Sequence, residues 1–191
     1  MSSTHTAPLL LGLVGRAGAG KDTVAAYLDD QYGFARMALA DPIKAMLAAL
    51  WADADLDPRW LTDRALKEQP SPLGPSYRQL MQSLGTEWGR HISSTFWVRI
   101  AQYKALLAMQ RGDNVVITDV RFANEAGWIT AAGGVLLRIH RDTAQPVHSH
   151  ASELEIGALP VQHELWNTAS KATLHDQIDR LMTELRAERV A

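Results

Sequence analysis

Residues 9–23 read Leu-Leu-Leu-Gly-Leu-Val-Gly-Arg-Ala-Gly-Ala-Gly-Lys-Asp-Thr. An apolar run ends in glycines, and a lysine then opens a helix. No other stretch constrains the fold as strongly. A strand that feeds a helix N-terminus through a glycine turn builds a nest of backbone N–H groups aimed at phosphate. Gly15, Gly18 and Gly20 let the backbone approach the anion with no Cβ in the way. Lys21 adds a full charge for the β- and γ-phosphates, and the spacing from Gly15 to Gly20-Lys21 is that of a P-loop. Val24, Leu28 and, on the flank, Tyr27 give the following segment, Gly20 to Gln31, an apolar face at helical spacing.

The position after the lysine normally carries Ser or Thr to hold Mg²⁺. Here it is Asp22, with Thr23 one residue later. A glycine turn that binds nothing is the alternative, and the order strand, turn, lysine, helix argues against it. The dinucleotide fingerprint is excluded by glycine order, since this loop reads G-x-x-G-x-G.

The chain has 191 residues, of which 47% are hydrophobic and 21% charged. That suits one substantial core rather than two. A net charge of −2 supplies no global basic field for nucleic acid. The absence of cysteine excludes disulfides and thiolate metal sites and fits a reducing, cytoplasmic setting. Residues 1–8 are small and polar, a frayed start. The apolar run at 9–14 is too short to cross a membrane and has no basic leader, so no membrane partner is expected.

Strands are expected at Leu9–Val14, Ala35–Leu39, Val115–Thr118, Val135–Ile139 and, weakly, Glu164–Trp166. Asp41-Pro42 reads as a helix start with Asp41 as N-cap, and Ile43, Met46, Leu47 and Leu50 as that helix's apolar face. Residues 53–76 collect Asp, Pro, Ser and Gly and read as a loop-rich excursion. Helices are expected over Tyr77–His91, Phe96–Arg111 and 123–132. Ser152 and Glu155 have capping-box spacing. A last helix carries Leu174, Ile178, Leu181 and Leu185 on one face. Strands alternating with helices imply an α/β fold with a parallel sheet, in which ligands bind beyond the C-terminal strand ends.

Polar clusters gather there. Asp119 follows the strand Val115–Thr118, where a carboxylate binds Mg²⁺ or acts as base; Arg121 and Glu125 come next. The alternative is that Asp119 caps the next helix and Arg121 pairs with a surface acid. Along residues 77–91, helical spacing puts Arg78, Gln82 and either Glu87 or Arg90 on a common side. Arginine forks a phosphate, and glutamine offers donor and acceptor to a base edge; a solvated helix face is the alternative. Trp88 and Trp97 read as core. Arg138, Arg141, His148 and His150 form a third group. With Glu153 the two histidines suggest a metal site, but no third ligand is defined, and a lid bringing cations to a transferring phosphoryl group is the preferred reading.

Across almost its whole length the chain resembles the deoxynucleoside monophosphate kinases of tailed phages. Gly15–Thr23 (GRAGAGKDT), Ala40–Lys44 (ADPIK), Leu80–Arg90 (LMQSLGTEWGR), Thr118–Glu125 (TDVRFANE), His150–Glu153 (HASE) and Asn167 carry the resemblance. Asp after the lysine is normal in that family. The resemblance implies a single P-loop NTPase domain over 1–191, three-layered α/β/α with a parallel sheet. A helical acceptor-binding insertion would span about 41–111 and a lid about 141–160. It implies that Gly15, Arg16, Ala17, Gly18, Ala19, Gly20, Lys21, Asp22 and Thr23 hold ATP phosphates and Mg²⁺, with Asn167 near the adenine. Asp22, Thr23 and Asp119 serve the metal. Asp41, Lys44, Arg78, Gln82, Thr86, Glu87, Arg90, Arg121 and Glu125 take the acceptor; Lys21, Asp119, Arg121, Arg138 and Arg141 act in catalysis; His148, His150 and Glu153 belong to the lid.

The implied reaction is ATP plus deoxynucleoside monophosphate (dNMP) giving ADP plus the diphosphate (dNDP), in the host cytoplasm if the chain is phage-encoded. Two rivals stand beside it: a P-loop kinase for another acceptor, such as a modified pyrimidine in DNA or a phosphorylated metabolite, and a nucleotide-binding module without turnover. The base accepted is not legible, and a homodimer is left open.

Overall fold

The structure, a computed structural model, describes residues 7–141 and 156–189. Its first strand, β1 (Leu10–Val14), is buried along its full length. That is why a continuous apolar run encodes it rather than an alternating one. β2 (Phe34–Met37), β3 (Asn114–Val120), β4 (Val135–His140) and β5 (His163–Trp166) complete a five-stranded sheet in the order β2-β3-β1-β4-β5. Every pairing is parallel. The chain runs from β1 to the β2 edge, returns through β3, and crosses to β4 and β5. The winding therefore reverses beside β1, the place where such sheets bind ligands.

Helices cover both faces. On one, Leu11 and Leu13 join Val24 and Leu28 of α1 (Lys21–Tyr32) and Leu174, Ile178, Leu181, Met182 and Leu185 of the last helix, α7 (Lys171–Glu188), in one buried cluster. Tyr27 and Tyr32 tie α1 to α7 by donating to Asp179 at 3.0 and 2.6 Å. On the other face lies α6 (Ala123–Ala131). A Cβ on Gly12 would stand 2.7 Å from both Ile129 Cδ1 and Leu136 Cδ2. Glycine in the middle of β1 is what lets α6 come this close. The three-layer α/β/α P-loop fold expected from sequence is the one observed.

The chain divides into two compact units, one formed by residues up to Ala38 with those from Ala101 onward, the other by Leu39–Ile100. The second contains α2 (Asp41–Asp53), α3 (Arg59–Thr62), a 3₁₀ turn at Leu66–Glu68 and α4 (Tyr77–Gln82). α4 continues into π-helical turns over Ser83–Arg90. α5 (Phe96–Gln110) runs from this unit into the first. The core of the second unit is Leu47, Trp51 and Tyr77 with Leu56, Trp60, Leu61, Leu80, Met81 and Leu84 packed around them.

Several sequence expectations need correction. Asp41 is the first helical residue of α2 and not its N-cap, which is Ala40 with no side-chain cap bond. α2 buries Ile43, Leu47 and Trp51, while Met46 (40%) and Leu50 (44%) are exposed. The buried stripe follows i, i+4, i+8, which a count of nearby apolar residues does not separate from its neighbour. Trp97 is core, but Trp88 is 44% exposed. β3 runs on to Val120, so Asp119 lies within the strand. The excursion at 53–76 carries α3 and the 3₁₀ turn, closed by a bridge between Pro70 and Ser76. The Ser152–Glu155 cap lies outside the described residues. Among the described residues no helix is long and apolar enough to cross a membrane.

Candidate active site

The turn after β1 is organised before any ligand arrives. Gly18 (φ 78) and Gly20 (φ 106) are left-handed, the conformations that tip successive N–H groups toward one point. Lys21 folds back over the loop, and its Nζ donates to the carbonyl oxygens of Gly15 at 2.6 Å and Arg16 at 2.9 Å. Ala19 is buried beneath the turn, Gly15 is buried too, Arg16 is exposed at its tip and Ala17 is half-buried. From the end of β5, the Asn167 side-chain amide donates to the Ala19 carbonyl at 2.9 Å, and the Asn167 backbone N–H to that of His140 at 2.8 Å. A Cβ on Gly20 would stand 2.4 Å from Asn167 Nδ2. Asn167 thus clasps the phosphate loop itself. Arg141, after β4, donates from Nη1 to the Gly18 carbonyl at 3.3 Å. Asp22 is exposed in the first turn of α1, and Thr23 beside it is half-buried.

Asp119 is half-buried on β3, beside β1, where Val14 pairs with Val120. Phe122 and not Asp119 is the N-cap of α6. Arg121 follows as an exposed side chain. Glu125, expected to meet the acceptor, is turned inward instead. It is 3% exposed, and its Oε2 accepts the backbone N–H groups of Arg121 at 2.8 Å and Phe122 at 3.1 Å. A carboxylate at the start of a helix is drawn to unpaired N–H groups, so Glu125 shapes the turn that carries Arg121.

Arg138, expected among the phosphoryl-facing cations, also has another task. Its Nη1 donates to the Gly157 carbonyl at 3.1 Å and its Nη2 to that of Leu159, which ties β4 to the segment preceding β5. His148, His150 and Glu153 lie outside the described residues. Sequence reading missed the stack of His140 on Trp166 (4.1 Å, 12°) at the ends of β4 and β5, because the partners are far apart in sequence.

In the second unit, Lys44 pairs with Asp41 at 3.0 Å. Arg78 sets Nε and Nη2 on Glu68 Oε1, each at 2.5 Å. Glu87 accepts from Ser83 Oγ at 2.6 Å. Gln82 and Thr86 are exposed and Arg90 is half-buried. The π-helical turns change the phase after Ser83, so spacing drawn on a 3.6-residue helix does not carry from Arg78 to Arg90. Trp97 Nε1 donates to the Gly85 carbonyl at 2.8 Å, which fixes these turns from within the unit.

The oxygen donors of Asp22, Thr23 and Asp119 suit a hard divalent cation such as Mg²⁺. Among the described residues no group of three His, Asp or Glu could hold a metal by itself.

A family model described as "Deoxynucleotide monophosphate kinase" matches residues 9–69 and 74–178. A protein of Acanthamoeba polyphaga mimivirus named "Putative deoxynucleotide monophosphate kinase" is 31% identical over 163 residues, 79% of this chain and 83% of its own length. The crystal structure of TT1252 from Thermus thermophilus aligns with a TM-score of 0.51 at 18% identity, covering 93% of this chain and 98% of that one; it shares the fold.

Proposed function

The chain belongs to the deoxynucleotide monophosphate kinase family, a group of P-loop phosphotransferases, and we propose that it transfers the γ-phosphoryl group of ATP to the phosphate of a deoxynucleoside monophosphate. The observation that carries this reading is the organised phosphate loop, with Lys21 held across it, beside Asp119 on the neighbouring strand.

An oxygen of the acceptor's phosphate attacks the γ-phosphorus in line, as the bond from that phosphorus to the β–γ bridging oxygen breaks and ADP leaves with its electrons. Such a reaction asks the protein for positioning and charge rather than covalent work. Lys21 exchanges the Gly15 and Arg16 carbonyls for β- and γ-phosphate oxygens. The N–H groups of the glycine turn cradle the same oxygens at the N-terminus of α1. Asp22, Thr23 and Asp119 would hold Mg²⁺, which when bound would neutralise charge on the phosphates. Arg121 and Arg141 bring further positive charge, and Glu125 holds the turn that presents Arg121. Asp41, Lys44 and Arg78 receive the acceptor.

The test is ADP release by purified protein across the common and modified dNMPs, with Mg²⁺ varied. ADP and dNDP are expected with at least one of them. ATP binding with no product from any acceptor would make the protein a binding module. Turnover only with a phosphorylated metabolite or with DNA would move it to another acceptor class.

A further inference from the structure

We infer that Lys67 is a third anchor for the acceptor's phosphate, acting with Lys44 and Arg78; this rests on the acceptor reading given above.

Lys67 stands on the 3₁₀ turn Leu66–Glu68, within the stretch that sequence reads only as loop. Its Nζ lies over the Tyr77 ring, 5.4 Å from the centroid. Tyr77 is buried and packs edge-on against Trp51 at 5.9 Å, so the ammonium rests on a rigid aromatic floor. Lys44 and Arg78 are near enough to repel the Lys67 ammonium; Lys44 is paired with Asp41, and Arg78 with Glu68, the residue that follows Lys67. Among the described residues Lys67 has no carboxylate partner. Burial first, then repulsion from Lys44 and Arg78, holds its ammonium below the usual lysine range.

A half-buried cation facing two like charges is unfavourable unless something negative joins it. The face of Tyr77 offsets only a part of that. A phosphate monoester answers all three cations at once. Its dianion presents several oxygens, so two compact ammonium groups and the side of Arg78 turned away from Glu68 approach from different directions. Charge placed at a cost and left without an internal partner makes Lys67 a candidate for binding an anion.

Lys67→Met keeps the stem over Tyr77 and removes the charge; Lys67→Arg keeps the charge. For Lys67→Met we expect KM for the dNMP to rise at least about tenfold, the scale of one lost charge-assisted contact. KM for ATP and the melting temperature should not move, and Lys67→Arg should restore most of the loss. dNMP affinity of the native protein should fall as pH rises through the lowered Lys67 value, and this limb should move to higher pH in Lys67→Arg. The groups facing Lys67 are Lys44, Arg78, Glu68 and Tyr77; Tyr77, raised by burial, stays neutral across the lower part of that range. If Lys67→Met fails to fold, the displaced limb in Lys67→Arg decides. An unchanged KM for the dNMP, or a limb that does not move, overturns the inference. If the native protein phosphorylates no dNMP, the acceptor reading fails by itself, and calorimetry with inorganic phosphate judges Lys67 separately. Weaker phosphate binding by Lys67→Met supports the anion site, and equal binding rejects it.

Discussion

Replacing Glu125 by alanine tests the claim that this residue builds the Arg121 turn from within. The Glu125 carboxylate accepts the Arg121 and Phe122 N–H groups at 2.8 and 3.1 Å from a 3% exposed position. A hydrogen bond to a charged group contributes about 1.5–3 kcal/mol. The two share one oxygen and are not additive, and part of the gain offsets desolvation of the carboxylate. A net loss of about 2–4 kcal/mol follows for Glu125→Ala. For a domain of this size about 1 kcal/mol lowers Tm by roughly 2–4 °C, so the expected fall is about 4–16 °C. Glu125→Gln keeps an acceptor oxygen without the charge and should lose about half as much. Thermal and urea unfolding followed by circular dichroism measure both. Steady-state kinetics on the folded variants should show KM for the dNMP rising and KM for ATP unchanged, because the loosened turn carries Arg121 and not the phosphate loop. A Tm within about 1 °C of the native value would refute the reasoning. So would a large Tm loss with dNMP kinetics untouched, which would detach Glu125 from Arg121's task.

Lys21→Met should lower kcat by on the order of 10³-fold while leaving Tm near native, since the Lys21 ammonium bonds carbonyls of the phosphate loop rather than packing in a core; ADP release and a melt check both halves. Asp22→Ala should raise the Mg²⁺ concentration for half-maximal rate and tighten metal-free ATP binding, because a carboxylate near a triphosphate repels it unless a cation intervenes. If Asp22 serves only the α1 N-terminus, a small stability loss with neither change is the result. The Tyr32 hydroxyl is pushed up to about 12 by burial, then by its bond to Asp179. A folded-state value above the unfolded one of about 10 stabilises the fold fully below pH 10 and loses that contribution as pH rises through about 12. Urea midpoints between pH 9 and 12 should fall, and Tyr32→Phe should flatten part of that slope.

What sequence by itself determined is the chemistry of contiguous segments. The phosphate loop is a run of neighbours whose backbone angles are set by glycine and whose lysine directly follows the last of them, so its geometry is local. β1 declares its burial by an unbroken apolar run, and α7 its inner face by a 3.6-residue period. The resemblance rests on segments of the same kind. Only the tertiary structure decided which strand lies beside which, because alternation of strands and helices implies a parallel sheet but not the order β2-β3-β1-β4-β5. It also decided the partners of polar side chains. Glu125 turns inward because the N–H groups of the β3–α6 turn lie there. Arg138 is held by carbonyls 19 and 21 residues away. Asn167 reaches a loop carbonyl 148 residues earlier. Lys67 acquires its meaning from Tyr77, Lys44 and Arg78. A side chain's charge and reach are written at its own position, but what satisfies it depends on distant backbone that folding alone brings near.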